Sequence, residues 1–224
     1  MNPKRLSLCA LLTLITLGAF PNAKGAPKED SPPVLPGKYA KSYLIAEGTT
    51  SPNKKFAVMY PTLDASESRD AGDYLVSLNP FEILAKVDTK WPHFQNRSNS
   101  GISVAWSSDS SVALVTLDSK WGPGEIFLFE VDGNKVKRST NLLGKIYGLL
   151  TPSYRKSKAP PLNDVVDFIF ESDGKPIIKL VGNKKVLIDG KATTDPKGLD
   201  AAHSWHGRIR AVWDIPEAQF TSQK

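Results

Sequence analysis

The fold reading turns on two stretches. They are Ser51-Pro52-Asn53-Lys54-Lys55-Phe56-Ala57-Val58-Met59-Tyr60 and Ser107-Ser108-Asp109-Ser110-Ser111-Val112-Ala113-Leu114-Val115-Thr116. Each opens with a serine, carries an amide or carboxylate at its third position, and passes into an apolar run. Ser, Asn and Asp favour turns because their side chains hydrogen-bond the local backbone, and Pro presets φ. The runs that follow, Phe56 to Tyr60 and Val112 to Leu117, are rich in β-formers and short, which predicts strands. The two stretches align at an offset of 56 residues.

The same order extends outward from both. Tyr43 to Ala46 precedes the first turn and Ile102 to Trp106 the second, each a candidate strand. After the first pair come a polar loop over 61–72, then Tyr74 to Leu78 and Glu82 to Val87, split by Asn79-Pro80. After the second pair come Lys120-Trp121-Gly122-Pro123-Gly124 as a loop and Ile126 to Val131 as a strand. That strand is apolar on both faces, so it should be central and covered. Asp132-Gly133 is a hairpin signal, with Lys135 to Arg138 returning as an edge. Each unit is thus four strands in about 45–50 residues. A fainter third copy begins at Val165 to Phe170 and continues through Glu171-Ser172-Asp173-Gly174-Lys175 into Ile177 to Leu180.

This order of strand, Ser-Pro/Ser-Asn/Asp turn, strand, loop, strand, Asp-Gly, strand resembles the blades of WD-repeat and TolB-like β-propeller proteins. The resemblance covers residues 40–140, which hold no Trp-Asp dipeptide, and extends weakly into the third copy. It implies a mainly β fold of antiparallel meanders and a role as a binding platform. Closed propellers have four or more blades, so an incomplete propeller and a sandwich of two meanders both fit.

Two further elements stand out. Asn141 to Leu150 has apolar residues at 142, 143, 146, 149 and 150, which predicts a short helix capped by Asn141 or Thr140. Ser153 to Pro161 then reads as a basic loop. Near the C-terminus Trp205, Gly207, Ile209, Ala211, Trp213 and Ile215 alternate with His206, Arg208, Arg210, Val212 and Asp214. That alternation predicts a long strand with one face on the core and one outward. Pro216 should stop it, and Thr221 to Lys224 should fray.

The N-terminus reads as an address. Met1 to Arg5 is positively charged, residues 6–20 are uncharged and mostly apolar, and Ala23 and Gly25 are small. This is the signal-peptide pattern, with cleavage expected after Gly25 and a secreted or periplasmic destination. The apolar run is shorter than the about 20 residues that span a bilayer, so no stable membrane insertion is expected after cleavage. Residues 26–38 read as a flexible Pro-rich leader and 39–220 as one β-rich domain. Removing Lys4, Arg5 and Lys24 takes the formal charge from +6 to +3, which weakens any nucleic-acid reading. It also removes Cys9, the only cysteine, so stability must come from a packed core.

Candidate functional residues are few. Trp91, His93 and Phe94 share a long loop, where aromatic residues could line a pocket or cover a sheet edge. His206, Arg208 and Arg210 form an outward row of like charge able to meet an acidic partner. Arg155, Lys156 and Lys158 form a second basic cluster. His203 and His206, with Asp195 and Asp200 nearby, could be written as a metal site, but the spacing points the histidines to opposite faces of a strand unless His203 sits in the preceding loop, so no shared metal is expected, and no cofactor is expected either. There is no G-x-S-x-G elbow and no phosphate-binding Gly-rich loop before a helix. The leading expectation is an exported, non-enzymatic domain that binds a protein or other macromolecule. The alternatives are an exported enzyme, such as a hydrolase, with a His/Asp site, and an assembly protein self-associating through sheet edges.

Overall fold

The computed structural model describes residues 33–68, 70–87, 101–171 and 177–223. In it the two serine-led turns carry the same hydrogen bonds. Ser51 Oγ donates to Asn53 Oδ1 at 2.7 Å and accepts from the Phe56 amide at 3.0 Å. Ser107 Oγ donates to Asp109 Oδ1 at 2.6 Å and accepts from the Val112 amide at 2.9 Å. The same oxygens of Asn53 and Asp109 accept the Lys55 and Ser111 amides at 3.0 and 3.1 Å. Lys54 and Ser110 both take φ of 59°, closing each turn. The offset is 56 throughout.

Each turn joins the first two strands of a meander. After the one-turn helix α1 (Tyr39–Ser42), the first sheet is β1 (Tyr43–Ile45), β2 (Phe56–Pro61), β3 (Tyr74–Leu78) and β4 (Phe81–Lys86), with α2 (Leu63–Ser66) in the β2–β3 loop. The second is β5 (Ile102–Trp106), β6 (Val112–Ser119), β7 (Gly122–Asp132) and β8 (Lys135–Asn141). Helix α3 (Leu142–Ser157) follows. The third sheet holds β9 (Ile169–Phe170), β10 (Ile177–Val181), β11 (Lys185–Thr193), β12 (His206–Asp214) and β13 (Gln219–Gln223). All pairings are antiparallel, and the described residues are mainly β. No closed barrel or propeller ring forms among them.

The sheets stack face to face because strand alternation gives the middle one two apolar faces. Ala113, Val115, Phe127 and Phe129 point to the first sheet, where Phe56, Val58 and Leu75 meet them. Val112, Leu114, Ile126 and Leu128 point the other way, to α3 and to Val186, Ile188, Ile209 and Trp213 of the third sheet. Each buried Leu, Ile or Phe contributes about 1.5–3 kcal/mol. The turns are bonded to one another along one edge of the stack. The Asn53 amide donates to Ser110 Oγ at 3.1 Å, and Asn183 Nδ2, in the β10–β11 turn, donates to Asp109 Oδ2 at 2.8 Å. The Trp106 indole N–H reaches back to the Thr49 carbonyl at 2.8 Å and stacks on Phe56.

Several expectations need correction. The helix runs past Leu150 to Ser157 with Pro152 inside it, so Ser153 to Ser157 is not loop. Proline removes one internal bond, but Leu150 and Tyr154 extend the buried face against Phe168 and Trp205, and packing outweighs propensity. Arg155 and Lys156 therefore sit in the last helical turn, where cations favour the dipole. In the third sheet, the third copy is shorter at its start than Val165 to Phe170, since only Ile169–Phe170 is strand. Ile169–Phe170 and Ile177–Val181 pair with the same side of β11, Phe170 opposite Ala192 and Ile178 opposite Ile188. The tail does not fray at Thr221, because β13 pairs with β12 through Gln223 and Phe220 packs edge-on to Trp213. Packing also begins before Tyr39: Leu35 is buried against Met59 and Val76 on the outer face of the first sheet.

Candidate functional site

The two ends of the stack differ. The outer face of the first sheet is covered by Leu35, Tyr39 and Tyr43. The outer face of the third sheet is left to solvent among the described residues. Its inward set is Val186, Ile188, Ala192, Ile209, Ala211 and Trp213, so alternation sends Lys185, Leu187, Asp189, Lys191, Arg208, Arg210 and Val212 outward. Register sets the neighbours: Lys179–Leu187–Val212 form one row, Asp189–Arg210 and Lys191–Arg208 two others, and Lys185–Asp214 a fourth.

This places the predicted row His206, Arg208 and Arg210 on one exposed face. Sequence reading missed what stands beside it. Asp189 on β11 accepts from Arg208 Nη2 and from Arg210 Nε, both at 3.2 Å. The arginines keep more than half of their side-chain surface exposed, so these pairs orient them and stabilise little. Leu187 and Val212 pair directly on the face and form a small apolar centre, Leu187 38% exposed, while Val181, 43% exposed, lies at the end of the edge strand β10 in the row of Lys185 and Asp214. Trp91, His93 and Phe94 lie outside the described residues.

His203 sits in the turn before β12, not on the strand, and its Nδ1 meets Asp200 Oδ1 at 2.8 Å. His206 Nε2 meets Ser204 Oγ at 3.0 Å. The pairs are separate: Asp200 orients His203 rather than His206, so the carboxylate–imidazole–hydroxyl relay that activates a serine is not assembled. Among the described residues no three His, Cys, Asp or Glu side chains gather as a metal site. Asp195 is engaged by its own loop. Its carboxylate accepts the Asp200 amide at 2.7 Å, and this bond, then the Leu199 amide, holds its pKa below the usual carboxylate range.

Two clefts were not legible in the sequence. One, of about 450 Å³, lies between the β6–β7 turn and the 195–200 loop and is walled by Lys120, Trp121, Leu162, Lys197 and Leu199. The other, of about 400 Å³, lies beside α1 and is lined by Lys38, Tyr39, Tyr43, Asp70 and Tyr74. Burial, and then the neighbouring Tyr74 and Tyr39, push the Tyr43 hydroxyl up to about 12. Each cleft gathers residues from segments far apart in sequence, so no local motif announces it. No helix among the described residues is long and apolar enough to cross a membrane. Comparison with known proteins finds no match to this chain among family models, curated sequences or solved structures.

Proposed function

We propose that this chain is an exported, non-enzymatic binding protein that docks an acidic protein surface on the outer face of its third sheet. One observation carries the reading. Lys179, Lys185, Lys191, Arg208 and Arg210 stand around the apolar pair Leu187 and Val212, with Val181 exposed at the edge strand beside Lys185, on a face no other described element covers. Among the described residues only Asp189 and Asp214 oppose these five cations on that face. An apolar centre with a charged rim, arginine included, is the usual build of a protein interface. Excess positive charge would steer an acidic partner and set the register of docking.

The finer fold reading is that the three meanders are blades of an open propeller. It is supported by the two turns with common hydrogen bonds, by the turn-to-turn bonds and by the face-to-face order of the sheets. Export rests on the sequence of residues 1–25, and protein recovered outside the cytoplasm should begin at Ala26 by mass spectrometry.

The docking test uses poly-glutamate as probe and a double charge reversal, Arg208→Glu with Arg210→Glu. The parent should retain the probe at low salt and release it as salt rises. The reversal should weaken retention by about tenfold or more. A control reversal of equal charge, Lys145→Glu with Lys156→Glu on α3, should change it far less. Equal losses in both variants, or none in either, would overturn the assignment of the face.

A further inference from the structure

We infer that the cleft between the β6–β7 turn and the 195–200 loop binds a carboxylated sugar. Its carboxylate would sit between Lys120 and Lys197, and its ring against Trp121 and Leu199.

The charge arrangement comes first. Lys120 Nζ lies 4.8 Å and Lys197 Nζ 5.9 Å from the centre of the Trp121 ring. The two ammonium groups arrive from segments more than seventy positions apart and share one indole. Attraction to a half-buried ring at the surface is worth on the order of 1 kcal/mol for each, and the like charges oppose one another. No described carboxylate pairs with either lysine. The two acids that line the cleft are turned into their own loop. Asp195 accepts backbone amides and Asp200 holds His203. The lining therefore balances in formal charge but is divided in space, and its free cationic side faces Trp121. An oxyanion placed there relieves the repulsion and receives two charge-assisted hydrogen bonds.

The walls point to more than a bare anion. Leu199 is 79% exposed, a large apolar side chain held out on a loop. Trp121 and Leu162 continue that apolar surface. Asn163 Oδ1 is used by the Val165 and Val166 amides, which leaves its NH₂ as a further donor at the rim. Apolar walls with a few convergent donors suit a ligand with an apolar ring face and hydroxyl edges. The about 450 Å³ of the cleft is within the range of small-molecule sites. The loop is also preorganised. Asp195 ties it through the Asp200 amide, so Lys197 and Leu199 are presented without a large ordering cost on binding.

The test is an NMR titration of the ¹⁵N-labelled full chain, following the Trp121 indole N–H. Sodium glucuronate is the probe, and glucose and sodium sulfate at matched ionic strength are separate arms. Glucuronate should give a saturable shift with a Kd about tenfold or more below that of either arm. Lys120→Ala with Lys197→Ala should abolish it. Leu199→Ala, at a site too exposed to threaten folding, should weaken glucuronate several-fold and leave sulfate unchanged. No saturable shift with glucuronate would overturn the proposal. So would sulfate matching glucuronate in parent and Leu199→Ala alike, which would mean charge attraction without a sugar site.

Discussion

Gly190→Ala tests whether the third sheet is built as described. Gly190 lies in the middle of β11, and the far end of the Phe170 ring lies against it. A Cβ there would fall 2.1 and 2.4 Å from two ring carbons, against 3.4 Å or more in ordinary contact. The ring would have to retreat by ~1.3 Å, the difference between those distances. Phe170 is fully buried in the aromatic and aliphatic packing between the second and third sheets, and such interiors have no slack of that size. Overpacking of this kind costs about 1–3 kcal/mol. It overrides the about 0.4–1 kcal/mol that Gly→Ala contributes through the unfolded chain. Phe170→Ala alone should cost about 3–5 kcal/mol. In the double variant the new methyl occupies part of the space the ring vacates, so the two losses should fall short of additive by about 0.5–3 kcal/mol. Gly148→Ala is the opposite control. Nothing stands within 4 Å of its Cβ on α3, and it should stabilise by about 0.5–1 kcal/mol. Urea denaturation of the parent and the four variants reads all of this. A Gly190→Ala variant as stable as the parent, or strictly additive losses, would refute the packing of Phe170 on β11.

Two predictions concern titration. The Asp109 carboxylate accepts from the Ser107 hydroxyl, the Ser111 hydroxyl and amide, and Asn183, and these bonds hold its pKa well below the usual range, the Ser107 bond most. Its support of the turn should be complete above the ordinary carboxylate pKa and fade as pH falls toward the folded value. Asp109→Ala should flatten that acid dependence in thermal melts, whereas an unchanged profile would count against the turn geometry. Tyr43 titrates upward, so its contribution should be complete below about pH 10 and be lost as pH rises through about 12. Absorbance titration should show one late tyrosine in the parent, and Tyr74→Phe should bring it down by removing the hydroxyl beside it. A Tyr43 transition unmoved by that change would refute the pairing.

Much of the fold was legible because strands and turns are local. The Ser-x-Asn and Ser-x-Asp signatures marked turns whose bonds are all made within six residues. Alternation from Trp205 to Ile215 named the buried and exposed faces of β12 residue by residue. Misreadings fell where a partner from elsewhere decided the outcome. Pro152 stays helical because Leu150 and Tyr154 find Phe168 and Trp205. The last residues stay paired because β12 offers them an edge. Phe170 and Ile178 share one side of β11, a matter of register that no turn signal encodes.

The candidate sites divide in the same way. Hydrophobic period alone determined that His206, Arg208 and Arg210 face outward together, since side chains two apart on a strand must share a face. Only the tertiary structure decided that Asp189 stands between the arginines and that Leu187 and Val212 form an apolar centre. Only it brought Lys120 and Lys197 to one indole. The physical reason is range. Propensity, capping and alternation act over a few bonds and are written along the chain. Cross-strand neighbours, helix length beyond its own signals and clefts between loops depend on contacts that form only when distant segments pack.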